Sequence, residues 1–202
     1  MDIGSIEGGK MDTKIERRFV EMRVKKDEEG RKLVGHAAVF NTETDLGWFR
    51  EMIAPGAFTD SIQLDDVRAL FNHDSNFVLG RNKAGTLTLR EDEVGLAVEI
   101  DPPDTQWARD LMHSMERGDI SQMSFGFEIK SSEDQEWREE EGKKDLRIVK
   151  RAKLWDVSPV TFPAYPDTDI AVRSHQEWKS RDKPVPWRNS LMRKLFALKF
   201  NH

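Results

Sequence analysis

Three apolar stretches of this chain each present one candidate for a shared chemistry: a hydroxyl, an imidazole and a carboxylate. Ser124 lies in Gly118-Asp119-Ile120-Ser121-Gln122-Met123-Ser124-Phe125-Gly126-Phe127, an apolar run ending in an aromatic-glycine-aromatic pattern. His73 closes the run Ala69-Leu70-Phe71-Asn72 and is followed by turn formers. Asp156 sits in Leu154-Trp155-Asp156-Val157-Ser158-Pro159-Val160-Thr161-Phe162-Pro163-Ala164-Tyr165. Acyl transfer needs this set: a hydroxyl is a poor nucleophile until an imidazole takes its proton, and a third group must orient the imidazole and stabilise its charged form.

The decapeptide around Ser124 supports two readings. A strand carrying Ile120, Met123, Phe125 and Phe127 ordinarily takes an apolar or β-branched residue at position 124. A serine there either bonds a neighbouring carbonyl as a core residue or serves as a nucleophile, because a buried hydroxyl needs a partner. Gly126 leaves room for a second backbone, or a substrate, to approach the strand. The presence of His73 and Asp156 in matching contexts turns the reading towards chemistry. His36 is a rival base, but it falls inside a strand beside small apolar residues and reads as a structural, hydrogen-bonded histidine. His113 falls on the polar side of a helix and reads as a surface residue. Asp74 adjoins His73, yet successive strand residues point to opposite faces, so it is expected to cap the turn.

The elements that must position these groups follow from periodicity. Glu16 to Lys26 and Leu33 to Phe40 alternate on either side of Asp27-Glu28-Glu29-Gly30 and predict a β-hairpin. A loop over Asn41–Arg50 leads to a short helix over Phe58–Gln63, then a strand from Asp65 that ends at His73 on a sheet rim. Thr86–Arg90 and Gly95–Ile100 form a second hairpin, and Pro102-Pro103 stops it. Asp104 or Thr105 caps a helix to about Arg117 that buries Trp107, Ala108, Leu111, Met112 and Met115 and delivers the chain to the Ser124 strand. The charge-dense residues 133–145 read as a solvated hairpin tip or loop, without ligand spacing for a metal. Ile148 to Val157 returns as one strand bearing Asp156, and Pro159, Pro163 and Pro166 end regular structure. An oxyanion hole of backbone N–H donors is also required, at positions the sequence leaves open.

Composition bounds the rest. The chain has 202 residues, 37% hydrophobic and 34% charged, with a net charge of −5 and no cysteine; its mean hydropathy is −0.69. That suits one domain with extensions, excludes disulfides, zinc ribbons and thiol nucleophiles, and fits a reducing compartment. Spread Lys and Arg under a negative balance argue against nucleic acid as the main partner. No apolar run approaches the ~18 residues of a membrane helix, so a soluble, unexported protein is expected. Residues 1–10 read as a leader outside the fold, 11–173 as the enzymatic domain, and 174–202 as a polar linker to Pro186 followed by a basic amphipathic tail over Trp187–Phe200, suited to docking on a partner or to packing on its own domain.

In the order His, Ser, acid, these stretches resemble the HK97-type prohead proteases of tailed bacteriophages, capsid-maturation serine peptidases related in fold to the herpesvirus assemblins. Gly35-His36-Ala37-Ala38-Val39-Phe40-Asn41 and Ile53-Ala54-Pro55-Gly56-Ala57-Phe58 extend the resemblance, which runs from about Glu16 to Arg173. It implies Ser124 as nucleophile and His73 as base. The third member implied is the acid just before the VSPVTFPA motif, usually a glutamate and here Asp156, which is one methylene shorter and orients His73 only if the backbone lies closer. The fold implied is mainly β with flanking helices (α+β), an antiparallel β-barrel like that of the assemblins. The activity implied is a cofactor-free serine endopeptidase in the bacterial host cytoplasm, inside the assembling prohead. Its expected partners are the scaffold protein or the scaffolding arm of the major capsid protein, with cleavage of itself and possible self-association; no metal, nucleic acid or membrane is called for. A catalytically silent assembly or scaffolding factor with the same fold is the alternative. A small-molecule esterase is a further reading, against which stands the lack of a Gly-x-Ser-x-Gly elbow.

Overall fold

A computed structural model describes residues 15–20, 25–26, 32–162 and 168–181. In chain order the elements are β1 (Glu16–Val20), β2 (Lys25–Lys26), β3 (Leu33–Val39), β4 (Thr44–Asp45), β5 (Arg50–Ile53), α1 (Thr59–Leu64), β6 (Arg68–Phe71), β7 (Asp74–Arg81), β8 (Leu87–Glu91), β9 (Gly95–Ile100), α2 (Gln106–Arg117), β10 (Gln122–Glu128), β11 (Gln135–Arg138), β12 (Leu146–Val149), β13 (Lys153–Val160) and α3 (Thr168–Arg181). The protein is mainly β with helices. Its strands lie in three sheets, ordered β1-β10-β13-β6-β7, β11-β12-β5-β4 and β2-β3-β9-β8. The described strands do not close into one barrel.

The first sheet carries the predicted chemistry. Strand β10 is a central strand, buried along its length, with Met123, Phe125 and Phe127 in the core. Phe125 packs edge-on against Phe58 at 5.6 Å and stacks on Phe127 at 5.3 Å. Period-two alternation then sets Ser124 and Gly126 together on the opposite face. Their antiparallel partners on β13 are Ser158 and Asp156, respectively. Helix α2 buries Ala108, Leu111 and Met115 and stops at Gly118, whose φ of +84° returns the chain towards β10.

Several expectations are corrected. The predicted first hairpin is divided between sheets: β2 pairs with β3, whereas β1 pairs with β10. The expected turn at Asp27–Gly30 lies outside the described residues. Ile148–Val157 is two strands, β12 and β13, placed in different sheets. Strand β7 follows His73 directly; its polar opening, Asp74-Ser75-Asn76, mimics a loop in the sequence. Pro159 does not end β13. A residue's N–H and C=O lie on the same side of a strand, and the Pro159 carbonyl accepts from Asn72 N–H at 3.0 Å, so its missing N–H faces the β6–β7 turn and costs no bond to β10.

Ser174–Arg181, read as linker from composition, is part of α3; the first proline of that region, Pro184, comes only afterwards. Helix α3 belongs to a compact unit distinct from Met1–Asp167. The leader and the amphipathic tail lie outside the described residues. Among the described residues, no helix is long and apolar enough to cross a membrane.

Candidate active site

His73 owes its position to a tight turn. Phe71 pairs with Asp74 across β6 and β7, leaving Asn72 and His73 as a two-residue connection with φ of +53° and +57°. Positive φ at both central residues is the geometry whose twist suits a β-hairpin, and asparagine tolerates it better than most side chains. A histidine there carries local strain, so the surrounding structure must hold it. Asn72 is fastened to the far end of β13: its N–H donates to Pro159 O at 3.0 Å, its Nδ2 donates to Thr161 Oγ1 at 3.2 Å, and its Oδ1 accepts from Thr161 N at 2.9 Å. The strand that carries Asp156 thus also anchors the turn that carries His73.

The three predicted residues meet. His73 Nε2 lies 2.7 Å from Ser124 Oγ, and His73 Nδ1 lies 2.6 Å from Asp156 Oδ2. With Asp156 ionised, Nδ1 must carry the proton, leaving Nε2 as an acceptor for the Ser124 hydroxyl. The short aspartate reaches because of what stands opposite. Gly126 faces Asp156 in register, and a Cβ placed on Gly126 would come within 2.5 Å of Asp156 Oδ1. The room at Gly126, expected to admit a backbone or substrate, is filled by this carboxylate.

Two partners were not foreseen. The Ser124 hydroxyl also has the Arg18 carbonyl of β1 at 2.9 Å as an acceptor, which makes the core-serine reading geometrically real alongside the imidazole contact. Ser124 has no exposed surface. Ser158, equally buried, donates to Asp156 Oδ2 at 2.6 Å. Ser158 was visible only as part of a motif, without a partner.

Arg18 itself belongs to a buried ring of charge. Its guanidinium binds Glu51 at 2.6 and 2.9 Å and Glu16 at 2.7 Å, while Arg147 binds Glu16 at 2.7 and 2.9 Å and Glu51 at 3.0 Å. Burial would lower the Arg18 and Arg147 pKa values, but the two carboxylates raise both. Two cations and two anions cancel, the condition under which buried charge is tolerated. The ring ties β1 to β5 and β12. In sequence these residues look like solvated charges; the faint signal is Glu16 and Arg18 alternating with Phe19 on β1.

The other candidates sit elsewhere. His36 on β3 meets both Asp92 carboxylate oxygens at 3.0 Å. His113 is exposed and lies 3.6 Å from Glu116. Asp74 accepts from Asn76 N–H at 2.8 Å, a local turn contact. Among the described residues no cluster of His, Asp and Glu is arranged to hold a metal.

Comparison with known proteins bears on this geometry. A prohead protease of Enterobacteria phage HK97 is 30% identical over 165 residues, covering 76% of this chain and 65% of that protein. The chain therefore spans just under two thirds of that relative's length. No solved structure matches it significantly. Residues 20–181 match the family described as caudovirus prohead serine protease, and the chain belongs to that family.

Proposed function

We propose that the chain is a serine endopeptidase with Ser124 as nucleophile, His73 as general base and Asp156 as the orienting carboxylate. The observation that carries this reading is that both imidazole nitrogens are engaged, Nε2 by Ser124 Oγ at 2.7 Å and Nδ1 by Asp156 Oδ2 at 2.6 Å. Nε2 takes the Ser124 proton as Oγ attacks the scissile carbonyl, and Asp156 stabilises the imidazolium that forms. His73 then gives that proton to the leaving amine, and the acyl-enzyme is hydrolysed by the same steps run with water. No step calls for a cofactor. Family membership favours scaffold protein, or the scaffolding arm of the major capsid protein, as substrate within the assembling prohead, with self-cleavage as a further event. The His, Ser, acid order and the predominance of antiparallel strands favour kinship with the assemblin fold.

One observation supports the second reading, a catalytically silent assembly factor: Ser124 has no exposed surface and its hydroxyl has Arg18 O as a competing acceptor. For the peptidase, this contact means that the Ser124 proton turns from Arg18 O to His73 Nε2 before it is transferred. Covalent labelling with a phosphonofluoridate, read by mass spectrometry, separates the two. An adduct on Ser124 that is lost in His73→Ala and Asp156→Ala is the expected result. A Ser124 unlabelled both in the isolated protein and within proheads overturns the peptidase reading.

A further inference from the structure

The chain Ser124–His73–Asp156 does not stop at the carboxylate. Asp156 Oδ2, the oxygen that receives His73 Nδ1–H, also receives the Ser158 hydroxyl at the same separation, 2.6 Å. Ser158 is fully buried and stands opposite Ser124 in the β10–β13 register, so the two hydroxyls flank the imidazole–carboxylate pair from adjacent strands on one face. An ionised carboxylate accepts only, so the Ser158 proton must point at Oδ2. We propose that Ser158 is a positioning residue for this site: its hydroxyl fixes which oxygen of Asp156 faces His73 and withdraws part of that oxygen's charge. The inference rests on the reading of Asp156 as the orienting member.

Two physical consequences follow. A carboxylate on a single-methylene side chain can swing about its last bond, and with Gly126 alongside there is no Cβ to stop Oδ1. The Ser158 bond is what holds the rotation, and its loss misaligns Nδ1–H and hence Nε2 relative to Ser124. Second, the Ser158 hydroxyl and His73 Nδ1–H share one acceptor oxygen, so removing the hydroxyl changes the bond that Oδ2 makes to Nδ1–H. Of the charged groups on the neighbouring elements, the Arg18 guanidinium is bound to Glu16 and Glu51, Arg68 and Arg81 to Asp66, and the Asp74 carboxylate to Asn76, while Arg17 stands opposite Gly126 in the β1–β10 register. Ser158 is the side chain whose hydroxyl shares Asp156 Oδ2 with His73.

The test compares wild type with Ser158→Ala and Ser158→Thr. Proton NMR of the His73 Nδ1–H, with the signal assigned through His73→Gln, reads the pairing without requiring turnover; phosphonofluoridate labelling of Ser124 reads activation. Ser158→Ala is expected to displace the His73 Nδ1–H resonance and to slow labelling about tenfold, with Ser158→Thr restoring both. A serine that merely fills a buried polar site predicts a lowered unfolding midpoint with the His73 Nδ1–H resonance and labelling rate unchanged, and that result overturns the proposal. Should wild-type Ser124 never label, the peptidase reading fails, while the Nδ1–H resonance still decides whether Ser158 positions Asp156 against His73.

Discussion

Replacing Gly126 by alanine tests the site through a residue that takes no part in the proton transfers. An ideal Cβ there lies 2.5 Å from Asp156 Oδ1, about 0.9 Å short of the 3.4 Å at which ordinary contact begins. The next neighbour, Ile15 Cγ2, is at 3.4 Å and needs only slight adjustment. The carboxylate is therefore what moves. Because Oδ1 and Oδ2 turn together, a displacement of this size carries Oδ2 off the 2.6 Å contact with His73 Nδ1 to a separation beyond the roughly 3.2 Å limit of a good bond. A misplacement near 1 Å in a positioning group costs about a hundredfold in rate, so Ser124 labelling by a phosphonofluoridate is expected to slow by about that factor in Gly126→Ala. Stability changes little, since alanine in a strand recovers roughly 0.5–1 kcal/mol of backbone entropy against the crowding. The decisive comparison adds Gly126→Ala to Asp156→Ala: with the carboxylate gone, the alanine has nothing to displace, and the double variant labels at the rate of Asp156→Ala alone. Wild-type labelling by Gly126→Ala, or a further loss in the double variant, refutes the argument that this glycine exists to seat the carboxylate.

Other predictions concern what holds the site. Asn72→Gly keeps the positive φ but deletes the two side-chain bonds to Thr161; labelling is expected to slow about tenfold with the unfolding midpoint nearly unchanged, measured by denaturant titration. Arg147→Met leaves Glu16 and Glu51 facing each other with one cation, and the expected loss is about 3–5 kcal/mol of unfolding free energy, read by urea denaturation. Acid should act through the same ring. Burial alone would push the Glu16 carboxyl up, but hydrogen bonds and charge from Arg147 and Arg18 outweigh it and hold it below the ordinary 4.5. A depressed carboxyl contributes stability that is complete above the unfolded value and is lost as pH falls through the folded one. The melting temperature should therefore drop as pH is lowered below about 4.5, and Glu16→Gln should flatten its share of that fall.

Local elements and chemical types could be read from the residues alone: α2 with its apolar face, the 87–100 hairpin, the strand bearing Ser124, and one hydroxyl, one imidazole and one carboxylate each set in an apolar run. These are legible because hydrophobic periodicity and turn residues act over a few positions, and because an isolated polar residue in an apolar run is conspicuous. The rest depends on contacts between distant segments. That β1 leaves its own neighbours to pair with β10, that β12 and β13 part into different sheets, and that Pro159 continues a strand all depend on which partner each backbone finds, and no window of sequence contains both partners. The buried ring is the extreme case: Glu16 and Arg147 stand 131 positions apart, and each looks like a solvated charge until the fold brings its counterion. Ser158 likewise reads as an ordinary motif serine until β13 lies beside β10 and its hydroxyl meets the carboxylate that His73 also binds. Residue type announces what chemistry is available, but whether three or four side chains share one proton path is set by distances that only strand register fixes.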